Sequence, residues 1–177
     1  MLPSFETDRL FLRPRGLADL QASLAMDREP EVTRFIPGPW HDPLRHAAFV
    51  RQRIETVFGD GLGYWSIFAK DDPQCFAGWV LLIPLDAVGP EVEIGWRLRR
   101  SSWGRGYATE AAMPVIRHAF GTLGLARIIA EIDPDNRPSC RVAEKIGMAM
   151  VGRTDHGGRS DLRYVMTHDD YTAANGG

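Results

Sequence analysis

Cysteine is nearly absent from this 177-residue chain. Cys75 and Cys140 stand far apart with no Cys-x-x-Cys, so neither a disulfide framework nor a structural zinc site is expected, and no metal is called for. Lysine is as scarce: only Lys70 and Lys145 occur, and the remaining basic residues are arginine. Neither sign of charge dominates. Twenty-one Lys+Arg against 23 Asp+Glu leave a net −2, which argues against a nucleic-acid binder or membrane-surface protein working through bulk positive charge. No run of 18 apolar residues is available for a membrane span. The opening MLPSFETDRLFLRPR interrupts its apolar stretch with charges, unlike a signal peptide, so a reduced, cytoplasmic setting is expected. There is no internal repeat and no low-complexity segment. What remains is an ordinary globular composition, 44% hydrophobic, expected to form one domain over residues 1–172 with a disordered tail over 173–177.

The period of the apolar residues alternates between extended and helical. Arg9 to Pro14 reads as a strand stopped by proline, and Leu17 to Met26 as a short helix. Residues 29–43, with Pro30, Pro37, Pro39 and Pro43, read as irregular, and a second helix is predicted from Leu44 to Phe58. Tyr64–Ala69, Phe76–Ile83 and Val92–Leu98 form three predicted strands whose short, turn-rich connections imply an antiparallel meander. The strongest helix follows, with Ala108, Ala111, Ala112, Val115, Ile116, Ala119, Phe120 and Leu123 at helical spacing. Pro114 lies inside it and predicts one kinked helix rather than two. A strand (Arg127–Ile132), a helix (Pro138–Ile146) and two closing strands, near Met150 and over 162–166, complete the order β-α-α-β-β-β-α-β-α-β-β. The expected class is α+β, with a mixed, mostly antiparallel central sheet flanked by helices.

The most informative segment joins the third meander strand to the strongest helix: Arg97-Leu98-Arg99-Arg100-Ser101-Ser102-Trp103-Gly104-Arg105-Gly106-Tyr107-Ala108-Thr109-Glu110. Such a junction collects free backbone N–H groups and the positive end of a helix dipole at one spot, and glycines let an anion approach closely. Four arginines with no acid before Glu110 surround it, as suits a phosphate-bearing ligand. A plain tight turn is the alternative. A nucleotide P-loop is excluded because no Gly-Lys-Ser/Thr follows, and a dinucleotide-binding fingerprint fails at Thr109, where its third glycine belongs.

Trp103-Gly104-x-Gly106-Tyr107-Ala108-Thr109-Glu110-Ala111 precedes Asn136-x-x-Ser139-x-x-Val142-Ala143-Glu144-Lys145-x-Gly147-Met148. Together they resemble the GNAT superfamily of N-acetyltransferases. Thr7-Asp8-Arg9-Leu10-x-Leu12-Arg13-Pro14 narrows this to the branch of the ribosomal-protein N-terminal acetyltransferases RimJ and RimL. The resemblance implies acetyl-CoA as co-substrate and acyl transfer to an amine, either a protein N-terminus or a small molecule. It implies that Leu98 and Arg99 offer backbone groups to the pantetheine arm. Arg100 and Trp103, Gly104, Arg105, Gly106, Tyr107, Ala108 and Thr109 would cradle the pyrophosphate. Asn136 and Ser139 would meet the arm from the other side.

Amine acetylation needs a base for the amine proton and a proton for the departing thiolate. Glu93 lies on the strand entering the turn, where the superfamily often places its base. Alternation puts Glu91, Glu93 and Gly95 on one face and Val92, Ile94 and Trp96 on the other, and a solvated strand glutamate is the alternative. The superfamily's usual tyrosine acid is replaced here by Ala143. Ser139 is the nearest substitute, with a helix-terminal role as its alternative. The missing tyrosine also keeps open a non-catalytic acyl-CoA-binding or regulatory module. Phe35, Trp40 and Trp65, with Tyr64, are candidates to wall an acceptor groove, with Asp27, Glu29 and Glu31 attracting a cationic amine; ordinary packing explains the aromatics as well. Cys140 reads as a small buried hydrophobe, and His41 and His46 are poorly spaced for a metal. Partners are thus expected to be acetyl-CoA and an amine, with no nucleic acid and no membrane, for a monomer or homodimer.

Overall fold

The computed structural model describes residues 2–176. The elements are β1 (Phe5–Glu6), β2 (Leu10–Pro14), α1 (Leu20–Asp27), α2 (Pro30–Thr33), α3 (Pro43–Glu55), β3 (Gly63–Ala69), β4 (Asp72–Pro84), β5 (Val92–Leu98), α4 (Tyr107–Arg117), β6 (Arg127–Ile132), α5 (Arg137–Lys145), β7 (Ala149–His156), β8 (Arg159–Thr167) and α6 (His168–Asn175). They build one eight-stranded sheet in the order β1-β2-β3-β4-β5-β6-β8-β7. Every neighbouring pair is antiparallel except β5 with β6, and β3, β4 and β5 form the expected meander.

The two faces of the sheet are read from alternation along each strand. One carries Leu10, Leu12, Trp65, Ile67, Val80, Leu82, Ile94 and Leu98 and is covered by Ala111, Ala112, Val115 and Ile116 of α4 and Cys140 and Ala143 of α5. The other carries Trp79, Leu81 and Ile83 and is covered by Met26 of α1 and Val32 of α2, while Leu20 and Leu24 of α1 pack on Val50 of α3. No helix among the described residues is long and apolar enough to cross a membrane.

Three elements escape the sequence reading. β1 is two residues long, too short to show a period. α2 is a single turn begun by Pro30 at its first position, within the segment expected to be irregular. α6 corrects the expected tail: helix continues through Asn175, although Gly177 lies outside the described residues. Thr167 caps it by accepting from the Asp170 N–H, the Asp170 carboxylate accepts in return from Thr167, and Tyr171 stacks on Phe120 with ring centroids 5.0 Å apart. α4 runs through Pro114 and then widens into a π-turn over His118–Thr122, so the single helix of the sequence reading ends less regularly than its periodicity implies.

Candidate active site

The turn between β5 and α4 has the conformation its glycines suggest. Gly104 (φ +73°) and Gly106 (φ +77°) are both left-handed, and Gly106 is the residue that caps α4. A Cβ on Gly104 would meet nothing within 4 Å, so backbone conformation rather than crowding requires glycine there. The first α4-type bond runs from the Glu110 N–H to the Gly106 carbonyl; among the described residues nothing accepts the N–H groups of residues 105–109. That run of free donors at a helix start fits the pyrophosphate of the expected co-substrate.

Other parts of the chain hold this turn in place. Glu110, in the first turn of α4, accepts from Thr7 Oγ1 (2.6 Å), the Arg9 N–H (2.9 Å) and Arg9 Nε (2.7 Å). Burial alone would raise the Glu110 carboxyl, but these bonds outweigh it and hold it below its ordinary value. Arg9 also donates to the Arg105 carbonyl (2.9 Å), with its guanidinium over the Tyr107 ring. Sequence reasoning did not name Thr7, Arg9 and Glu110 as site residues; the signal was the presence of Thr7 and Arg9 in the amino-terminal motif and of Glu110 in the glycine-turn motif.

The expected acid-free arginine patch is corrected. Arg97 pairs with Asp27, Arg100 with Glu31, and Arg105 with Asp71, while Arg99 donates to Cys75 Sγ. Distant segments bring in the acids that the local sequence lacks. The Arg100 and Arg105 pairs are exposed and weak enough for an anion to displace. The expected roles of Leu98 and Arg99 are narrowed in the same way. The Leu98 carbonyl already accepts from Trp103 Nε1 (2.8 Å), and the Arg99 N–H donates to the Ala77 carbonyl (3.0 Å), because the β4–β5 ladder continues past Leu98. Tyr107 and Ala108 are buried and can reach a ligand only through their N–H groups.

Glu93 stands where β5 and β6 meet. Their parallel pairing is registered at Glu93 opposite Ile129, near the start of β5. Burial pushes the Glu93 carboxyl up to about 7; Asp86 and Glu131 add to the rise and Arg53 opposes it. The carboxylate shares its sheet face with Gly95 and Arg97, and Gly95 lies in register with Leu81, itself opposite Tyr64. Glu93 is half-buried on this strand.

Asn136 caps α5: its Oδ1 accepts from the Ser139 N–H (3.3 Å). Ser139 is half-buried at the third helical position, and no bond to its hydroxyl is formed among the described residues. Cys140 and Ala143 are buried on the inner side of α5. Tyr164 of β8 reaches this helix. Its burial and its contacts with Cys140 and Glu144 push the hydroxyl up to about 12.

The aromatic candidates divide. Trp65 is fully buried on the face opposite Glu93, with Nε1 donating to the Pro3 carbonyl (2.7 Å), so it walls no groove. One step along β3, Tyr64 faces the Glu93 side. Trp40 lies under the Arg97 guanidinium (4.9 Å) and edge-on to His46, while Phe35 is half-buried beneath Arg34. The acids expected to attract a cationic amine are engaged. Asp27 accepts from Arg97 Nη1 (2.7 Å) and faces His46 Nε2 (3.2 Å), both buried; Glu29 accepts from the Arg100 N–H (3.1 Å), and Glu31 pairs with Arg100. A broad concavity of ≈ 560 Å³ between Phe11, Phe68 and Phe76 shares no residue with this site.

Residues 9–149 match the family of the acetyltransferase (GNAT) domain. The chain is 30% identical to the FsC-acetyl coenzyme A-N(2)-transacetylase of Aspergillus fumigatus, over 84% of its own length and 66% of that longer protein's. It is also 30% identical to the uncharacterized N-acetyltransferase YoaA of Bacillus subtilis, over 86% of each chain. Among solved structures it is similar to the acetyltransferase of Agrobacterium tumefaciens (TM-score 0.79, 30% identity), covering 94% of this chain and 95% of that one.

Proposed function

The chain belongs to the GNAT acetyltransferase family and is an acyltransferase drawing on acetyl-CoA; from that premise we propose that it transfers acetyl directly to a primary amine, with Glu93 as the base. The observation that carries this reading is a half-buried carboxyl, pushed up to about 7, on β5 where it pairs with β6, in the strand that runs into the glycine turn. A base of that strength is half ionised near neutrality and can take a proton from an ammonium group directly or through one water. Acetyl-CoA supplies an activated acetyl group and a thiolate leaving group. The free N–H groups of residues 105–109 hold its pyrophosphate, and the Ser139 hydroxyl, free at the start of α5, orients a proton toward the thiolate.

The test is Glu93→Gln assayed by thiol release with a panel of amines. The rate should fall about 10²–10³-fold while acetyl-CoA affinity by calorimetry stays within twofold. Full activity across pH would reject Glu93 as the base. Binding of acetyl-CoA without turnover on any amine would favour a non-catalytic acyl-CoA module instead.

A further inference from the structure

On the Glu93 side of the sheet two arginines hold buried N–H groups that form no hydrogen bond among the described residues. Arg15 follows β2, and its N–H donates to the Tyr64 carbonyl (2.9 Å), which places it beside Tyr64. Its guanidinium stacks 3.7 Å over the Tyr64 ring. Stacking occupies the face of the guanidinium but not its edge: Arg15 Nε and Nη2 are sealed from solvent with no hydrogen-bond partner. Burial lowers the Arg15 guanidinium to about 10, still charged at neutrality. Arg53, near the end of α3, is in the same condition at Nη1 and lies close enough to Glu93 and Tyr64 to influence both. Among the described residues neither arginine has a carboxylate partner, whereas Arg97 has Asp27 and Arg13 has Asp19. A cavity of ≈ 50 Å³ lies between Arg15, Arg53, Tyr64 and Phe58, room for about one or two water-sized groups.

Unsatisfied, buried guanidinium N–H groups are costly, and a planar carboxylate is the partner whose geometry suits them best. Arg53 is close enough to act on Glu93, which the acetyl-transfer reading makes the base for the amino group. We infer that the acceptor is an amine carrying a carboxylate, bound with its amino group toward Glu93 and its carboxylate on Arg15 and Arg53. This rests on the acetyl-transfer reading above and adds a carboxylate to the cationic amine that the sequence led us to expect.

The experiment uses the full chain with matched probes: ω-amino acids from glycine to 6-aminohexanoate and short dipeptides, each beside its carboxamide. Binding is read by calorimetry in the presence of CoA, and turnover by thiol release from acetyl-CoA. The carboxylate member of the best pair should bind at least tenfold more tightly than its carboxamide. That preference should be lost in Arg15→Gln and in Arg53→Gln, each a check on misfolding in the other, and kept in Arg117→Gln on the exposed side of α4. Equal or tighter binding of carboxamides, no binding by any carboxylate amine, or a preference that survives both substitutions would overturn the inference. Turnover confined to amines without an acid group would overturn it while leaving acetyl transfer standing. Carboxylate-selective binding with no turnover would support it and reject the catalytic reading.

Discussion

Glu93 is a carboxyl whose burial works against its charge, and the consequence reaches beyond catalysis. Because burial lifts the folded-state value from 4.5 to about 7, the folded chain holds this proton more tightly than the unfolded one. The stability linked to that proton is fully present below 4.5 and is lost as pH rises through 7. Glu93→Gln, which carries no charge, should therefore be more stable than the parent at pH 8 by roughly 2 kcal/mol, with the difference vanishing near pH 4. Denaturant melts at the two pH values measure it; a variant less stable at pH 8 would contradict the buried-carboxyl account. In the same range, kcat/KM of the parent should climb about tenfold per pH unit below 7 and level off above it. Strand alternation in the sequence put Glu93 and Gly95 on one face, as the register of β5 has them, since period two is a local property. Burial is not local. It comes from α1 to α3 closing over that face.

At the scale of elements, the glycine turn depends on a tether that no local window contains. The segment between β1 and β2 reaches 100 residues along the chain to bind the first turn of α4 through Thr7, Arg9 and Glu110. Glu110→Ala removes the acceptor for three donors. We expect a stability loss of about 1–3 kcal/mol in thermal melts. Acetyl-CoA Kd should also rise about tenfold by calorimetry, with KM for the amine little changed. An unchanged acetyl-CoA Kd would show that the turn holds its shape unaided. β5 and β6 were legible to the residue because apolar alternation and bounding turn residues agree there. α6 was not: its sequence is polar and rich in alanine, and only the capping box with Thr167 and the stack on Phe120 make it a helix.

For the molecule as a whole, a near-neutral balance of charges conceals how they are matched. The arginines around the turn find acids contributed by α1, α2 and the β3–β4 turn, and Asp27 sits buried between Arg97 and His46. This interior pairing ties α1 and α3 to β5, so Asp27→Asn should cost about 3–5 kcal/mol in chemical denaturation by leaving Arg97 without its counter-charge. A loss below 1 kcal/mol would mean that Arg97 is solvated in the folded chain.

What the sequence determined by itself was whatever repeats at short range. The periods of the strands and of α4 depend on residues a few positions apart, as do the paired motifs that carry the family resemblance. The tertiary structure alone decided which charges are spent and which are left over. Ion pairs form across tens of residues, and burial sets their value. It drew Asp27, Glu29 and Glu31 out of the acceptor site, moved Trp65 to the far face, and left N–H groups of Arg15 and Arg53 unsatisfied around Tyr64.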